Sequence, residues 1–259
     1  MNTLPKNIPE NLTALFEKMA NDFPSILENN LVGLYLWGSL TYEAFDERCS
    51  DADCIVVTHK DINESEFAAI EDWFEKLSEN NSWTEKLDMR FVIDKEFLDK
   101  TSTCCGYHFG KLVRSGSDGN PIIWVNIGQS GITLWGKPAK EIAPEVTPKI
   151  LNEALLLEIE YLKENLAEFV GDQSDLAFFH NSYAVLTACR IFYTAHNGTL
   201  VSKDKASIWT LENVPEKWHS VIKKATENRL AGKRLKTAKL ENDAMDFVCF
   251  IENRVGNLL

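Results

Sequence analysis

Apolar residues Leu12, Leu15, Phe16, Met19, Phe23 and Ile26 recur at helical spacing between about Pro9 and Glu28, which predicts an amphipathic helix. The pattern then shortens. "LVGLYLWG" (31–38) is a compact aliphatic and aromatic run stopped by Gly38, as a buried strand would be. Residues 40–48 are polar enough for one or two helical turns, and "DADCIVVT" (51–58) predicts a second strand. Between Glu64 and Glu79, Phe67, Ile70, Trp73, Phe74 and Leu77 fall on one helical face. In "KLDMRFVI" (86–93) the period changes to two. Leu87, Met89, Phe91 and Ile93 share one face, and Asp88 and Arg90 take the other. "PIIWVNI" (121–127) and "GITLWG" (131–136) are short apolar runs, read as short strands or buried turns.

The segment "GKPAKEIAPEVTP" (136–148) holds three prolines and predicts an interdomain connection. Beyond it the period is helical almost throughout. Ile150, Leu151, Ala154, Leu155, Ile159, Leu162, Leu166 and Phe169 predict a helix over 148–169. A second spans 176–196 and ends at Asn197-Gly198, a C-cap signal. Helices over 203–213, 215–230 and about 236–254 follow. The fold class is therefore α+β. A mixed sheet flanked by helices (1–145) precedes an all-α helical bundle (146–259).

Composition changes this picture little. A chain of 259 residues, 44% hydrophobic, is long enough to bury the cores of two domains. The net charge of −12 argues against a duplex nucleic acid as the main partner, because that affinity comes from clustered Lys and Arg. The six cysteines (Cys49, Cys54, Cys104, Cys105, Cys189 and Cys249) form no C-x-x-C pair. Cys104-Cys105 beside His108 is a weak metal signal, better read as a loop or core position. With no basic-then-apolar leader and no spanning apolar run, a cytoplasmic protein that does not enter the membrane is expected, and a monomer.

The chemistry concentrates at the mouths of the strands. Asp51 and Asp53 are two apart and so project from one face of an extended strand. If the strand carrying Asp88 is its neighbour, three carboxylates converge, and they repel unless cations intervene. Mg²⁺ prefers a few carboxylates with water and substrate phosphates. Gly38-Ser39 lies just upstream, where a glycine turn brings backbone N–H groups and a hydroxyl close to phosphate oxygens. A phosphate cradle facing a metal-binding acid cluster suits a nucleoside triphosphate.

This ordered set resembles the nucleotidyltransferase superfamily typified by DNA polymerase β. More narrowly the chain is similar to the aminoglycoside nucleotidyltransferases that adenylylate streptomycin and spectinomycin. "GS…SDADCIVV" matches their Gly-Ser and Ser-Asp-x-Asp elements. "VLTACRIFYTAHNGTLVSKDKASIWTLENVP" (185–215) matches their Leu-Thr-x-x-Arg-Ile-x-Tyr, Lys-Asp and Ala-x-x-Trp run. The resemblance covers roughly 30–254. It implies Asp51 and Asp53 as metal ligands, and Asp88 as the third acidic position, a metal ligand, a general base or both. It also implies Arg190 and Lys203 as triphosphate-facing cations, with Mg²⁺ as cofactor and ATP as co-substrate. The implied acceptor is a small, hydroxylated, cationic drug. The family carries glutamate where this chain has Asp88. The streptomycin binders have a tryptophan and acids before the Leu-Thr run, where this chain reads "LAFFHNSYAVLT". Lys111-Leu112 stand where the family has Glu-Trp. These departures favour a spectinomycin-like acceptor over streptomycin. A protein, an RNA end or a metabolite as acceptor, an antitoxin-like regulatory module and a non-catalytic nucleotide-binding protein are the rival readings.

Overall fold

A computed structural model describes residues 4–5, 8–99, 103–108, 110–116, 119–170, 172, 174–231 and 241–258. The chain divides into two compact units, Met1–Val146 and Thr147–Leu259.

The first unit contains α1 (Glu10–Leu27), β1 (Leu31–Leu36), β2 (Ala52–Thr58), α2 (Glu64–Ser78), β3 (Leu87–Ile93), β4 (Thr103–His108), β5 (Lys111–Gly116), α3 (Pro121–Ser130), β6 (Ile132–Gly136) and α4 (Ala139–Ile142). The six strands form one mixed sheet in the order β5-β4-β3-β2-β1-β6. Only β2 and β3 run parallel, because α2 supplies the crossover that a parallel pair needs. A reciprocal capping box starts α2: Asn63 accepts from the N–H groups of Ser65 and Glu66, and Glu66 reaches back to the N–H of Asn63.

Alternation along the strands sorts side chains onto two faces. Leu34, Leu36, Cys54, Val56, Leu87, Met89 and Phe91 pack with α1 and α2 residues such as Phe16, Phe23 and Phe74. Tyr35, Ile55, Val57 and Val92 pack on the other face with Ile123, Trp124 and Ile127 of α3. Trp124 is fully buried there, so Trp124→Ala would cost about 3–5 kcal/mol and loosen α3 from the sheet.

Two readings from the sequence are corrected. Residues 121–127 form a helix rather than a strand or turn, because Asn120 accepts from the N–H of Ile122 as N-cap and Pro121 starts the first turn. Gly38–Thr41 is a single 3₁₀ turn, and no longer helix follows it before β2. Thr103–His108 and Lys111–Gly116 pair as a hairpin, with Gly110 at φ +85°, and Cys104 and Cys105 lie buried in its first strand, the core position that was one of the two readings expected of them.

The second unit is all helical: α5 (Pro148–Glu168), α6 (Asp175–Asn197), α7 (Lys203–Asn213), α8 (His219–Ala231) and α9 (Glu241–Gly256). The stretch 236–240 of the expected last helix lies outside the described residues. Helix α6 touches the other four, through residues such as Val185, Cys189 and Phe192. Gly198, at φ +66°, donates its N–H to the Thr194 carbonyl and ends α6 as its C-cap. Among the described residues, no helix is long and apolar enough to cross a membrane.

Candidate active site

The parallel β2–β3 register pairs Asp53 directly with Asp88. Both lie on the α3 face of the sheet, at its mouth, while Ile55, Val57 and Val92 close the same face further along. Register partners on adjacent strands sit about 4.8 Å apart, so the two acidic residues are neighbours across the ladder. Asp51 lies one residue ahead of β2 and is exposed. The turn before it is braced by Arg48, which donates to both carboxylate oxygens of Asp46 at 2.9 and 2.6 Å. The buried Ser50 adds to that brace, its hydroxyl accepting from the N–H of Asp46 at 3.0 Å.

The Gly38-Ser39 turn comes down directly on this pair. The N–H of Trp37 donates to the Asp53 carbonyl at 3.1 Å, extending the β1–β2 ladder by one bond and delivering Gly38 above Asp53. Gly38 has φ +69°, and a Cβ there would run into the Asp53 carboxylate. Only glycine meets both conditions. The N–H of Gly38 donates to Oδ1 of Asn126 at 2.7 Å, and its carbonyl accepts from the Thr41 hydroxyl at 2.9 Å. The N–H of Gly38 is therefore already engaged. The Ser39 hydroxyl is buried with no hydrogen-bond partner among the described residues.

Asp88 is held from two sides. Nδ1 of His108 lies 2.6 Å from its Oδ1, and Nη2 of Arg90 donates to Oδ2 at 3.4 Å. The β3–β4 register places His108 opposite Asp88 and Gly106 opposite Arg90. A side chain at Gly106 would collide with the His108 ring, so this glycine makes the pairing possible. Burial pushes the Asp88 carboxyl up, but the His108 hydrogen bond and the Arg90 charge outweigh it. The net effect holds Asp88 below the usual carboxylate range. The sequence reading missed Asn126, and it weighed His108 only beside Cys104-Cys105, not against Asp88. The signal for Asn126 was an amide inside an apolar run, which demands hydrogen-bond partners once buried. For His108 it was a glycine two residues earlier in what proves to be a strand.

Carboxylate oxygens are the donors that Mg²⁺ prefers, and the register brings Asp53 and Asp88 together with Asp51 two residues from Asp53. Among the described residues, however, no three His, Cys, Asp or Glu side chains already stand grouped as a metal site. The chemistry of Asp51 and Asp53 would suit Mg²⁺, and Asp88 would join them only by loosening its hold on His108 or Arg90.

Arg190 and Lys203 belong to the second unit. Arg190 is half-buried on α6, and Lys203 opens α7 after the N-cap Ser202. Nζ of Lys203 sits over the Tyr183 ring at 3.9 Å. Burial raises the Tyr183 hydroxyl to about 12, with Glu158 adding to the rise and Arg190 opposing it. Asp204, next in the chain, pairs with Arg229 at 2.9 Å and ties α7 to α8.

Residues 141–254 match the family model for the aminoglycoside adenylyltransferase C-terminal domain. The chain is 23% identical to a spectinomycin 9-adenylyltransferase of Campylobacter jejuni, over 91% of this chain and 92% of that protein. It is 26% identical to an aminoglycoside (3'') (9) adenylyltransferase of Escherichia coli, over 53% of this chain and 49% of that protein. Its fold matches the crystal structure of the spectinomycin adenyltransferase AAD(9) from Enterococcus faecialis, solved with ATP and spectinomycin. The TM-score is 0.67 at 17% identity, covering 95% of this chain and 98% of that one. The helical unit thus matches the aminoglycoside adenylyltransferase C-terminal domain, and the chain is similar along nearly its whole length to an enzyme of that kind.

Proposed function

We propose that the protein is a Mg²⁺-dependent adenylyltransferase that moves AMP from ATP to a hydroxyl of spectinomycin or a similar cationic acceptor, with release of pyrophosphate. The observation that carries the reading is the register of Asp53 with Asp88 beneath the Gly38-Ser39 turn. Two acidic residues paired across a strand mouth are a liability in a fold and an asset in a metal-assisted phosphoryl site. When bound, Mg²⁺ supplies positive charge for the phosphate oxygens and for the charge that develops during transfer.

The chain's own residues divide the remaining work. Asp51 and Asp53 hold the metal. Ser39 donates its hydroxyl to a phosphate oxygen, which gives that buried group the partner it lacks. Asp88 is anchored at Oδ1 by His108 and more loosely at Oδ2 by Arg90, so Oδ2 is the atom that receives the proton of the attacking hydroxyl. Its lowered pKa keeps it ionised at neutral pH and makes it a modest base. The family resemblance assigns Arg190 and Lys203 to the triphosphate, a role suited to fixed cations.

The spectinomycin preference is supported by the name of the Campylobacter relative and by the window 176–187, which has neither tryptophan nor acid. Incubating the protein with ATP labelled at the α-phosphate, Mg²⁺ and a panel of drugs tests it. Label should move to spectinomycin and not to streptomycin. Mg²⁺-dependent transfer to some other hydroxyl compound, with every drug untouched, would favour the reading in which the nucleotide site serves a non-antibiotic acceptor.

A further inference from the structure

We propose that Asn126 is a positioning residue for the nucleotide, acting through the Gly38-Ser39 turn; the inference rests on that turn being the phosphate cradle. Asn126 is 2% exposed and sits on α3 among Ile123, Trp124 and Ile127, which pack against the sheet. A leucine of similar size would fill the same place without polar atoms to satisfy, so packing alone does not call for an amide. All of its hydrogen-bonding atoms are in use. Oδ1 accepts the N–H of Gly38 at 2.7 Å, and Nδ2 donates to Thr41 at 3.2 Å and to Ser130 at 2.9 Å. Ser130 in turn donates to Thr41 at 3.1 Å, and Thr41 donates to the carbonyl of Gly38 at 2.9 Å.

Both polar groups of Gly38 are thus gripped by one side-chain network that springs from α3. The grip fixes the peptide plane at φ +69°, a conformation that glycine alone would leave loose. The next residue is Ser39, whose buried hydroxyl has no partner among the described residues. Fixing residue 38 fixes where that hydroxyl points. A donor held ready for an acceptor-only group loses less freedom when a phosphate oxygen arrives, and this is how a residue that never touches the ligand sets its affinity. The network also denies the N–H of Gly38 to the ligand, so Ser39 becomes the donor of the pair.

The test is the affinity of the purified full-length protein for the fluorescent analogue trinitrophenyl-ATP with Mg²⁺. The variants are Asn126→Leu, Thr41→Val and the double variant, compared at a temperature where circular dichroism shows each one folded. Each single change should weaken binding about tenfold, the scale of one lost hydrogen bond at a ligand site. The double variant should be little weaker than the worse single, because the two act through one network. The KM for ATP should rise in step while the KM for the acceptor stays put. Should Asn126→Leu fail to fold, Thr41→Val and Ser130→Ala carry the same expectation. Wild-type affinity in the folded single variants, or losses that simply add, would overturn the inference and leave the nucleotide reading standing. Wild-type protein that fails to bind the analogue would overturn the nucleotide reading and the inference with it.

Discussion

Gly38→Ala separates backbone strain from damage to the site. At φ +69° an L-residue costs roughly 1–2 kcal/mol relative to glycine. The added methyl would also occupy space taken by the Asp53 carboxylate, the flexible end of a short side chain. The protein should therefore fold, with Asp53 swung aside or the turn lifted from it. A displacement of about 1 Å at a reacting centre costs on the order of a hundredfold in rate. Gly198→Ala is the matched control: its φ is +66°, and nothing lies within 4 Å of the place its Cβ would take. Urea unfolding should show both variants less stable by roughly 1–2 kcal/mol. Transfer of labelled AMP should fall about a hundredfold or more in Gly38→Ala and stay within about twofold of wild type in Gly198→Ala. Near-wild-type transfer by Gly38→Ala, or an equal loss in Gly198→Ala, would refute the claim that Gly38 is glycine because Asp53 lies beneath it.

Other outcomes follow from the Asp88 contacts and the cations of the second unit. His108→Ala should lower kcat about tenfold with the KM for ATP little changed, while His108→Asn, whose amide nitrogen takes the place of Nδ1, should recover most of it; steady-state kinetics decide, and an unaffected kcat in His108→Ala counts against the pairing. The folded pKa of Asp88 lies below its unfolded value, so its share of stability is present above about pH 4 and lost as pH falls through the folded value. Urea midpoints measured across that acid range should drop less steeply in Asp88→Asn than in wild type. Lys203→Ala should raise the KM for ATP about tenfold without changing the unfolding free energy from urea titration by more than about 0.5 kcal/mol; an unchanged KM would remove Lys203 from the nucleotide site.

The legible part of the fold was the part governed by local period. Asp88 could be assigned to a strand face because apolar residues alternate around it, Asp53 shared a face with Asp51 by spacing, and α5 and α6 showed their 3.6-residue stripe. Pairing across the sheet was not legible. That Asp88 faces Asp53 on one side and His108 on the other is a fact of register, which no local window contains. The hairpin 103–116 escaped notice because cysteine, glycine and lysine are weak strand signals, and its stability comes from neighbours such as the Phe74 ring stacked on Tyr107. Helix α3 was lost for another reason. "PIIWVNI" is apolar enough for either structure, and the N-cap Asn120 that settles it, with Pro121 as the first helical residue, stands just before the run. With that helix went Asn126, and with it the reason the N–H of Gly38 is already engaged.

The most direct measurement of the central claim is Mg²⁺-dependent transfer of labelled AMP to spectinomycin by wild type and by Asp53→Ala. Circular dichroism confirms the fold of both. Label on the drug with wild type, and a loss of at least about a hundredfold in the variant, is the predicted result. Transfer undiminished in Asp53→Ala would contradict the account.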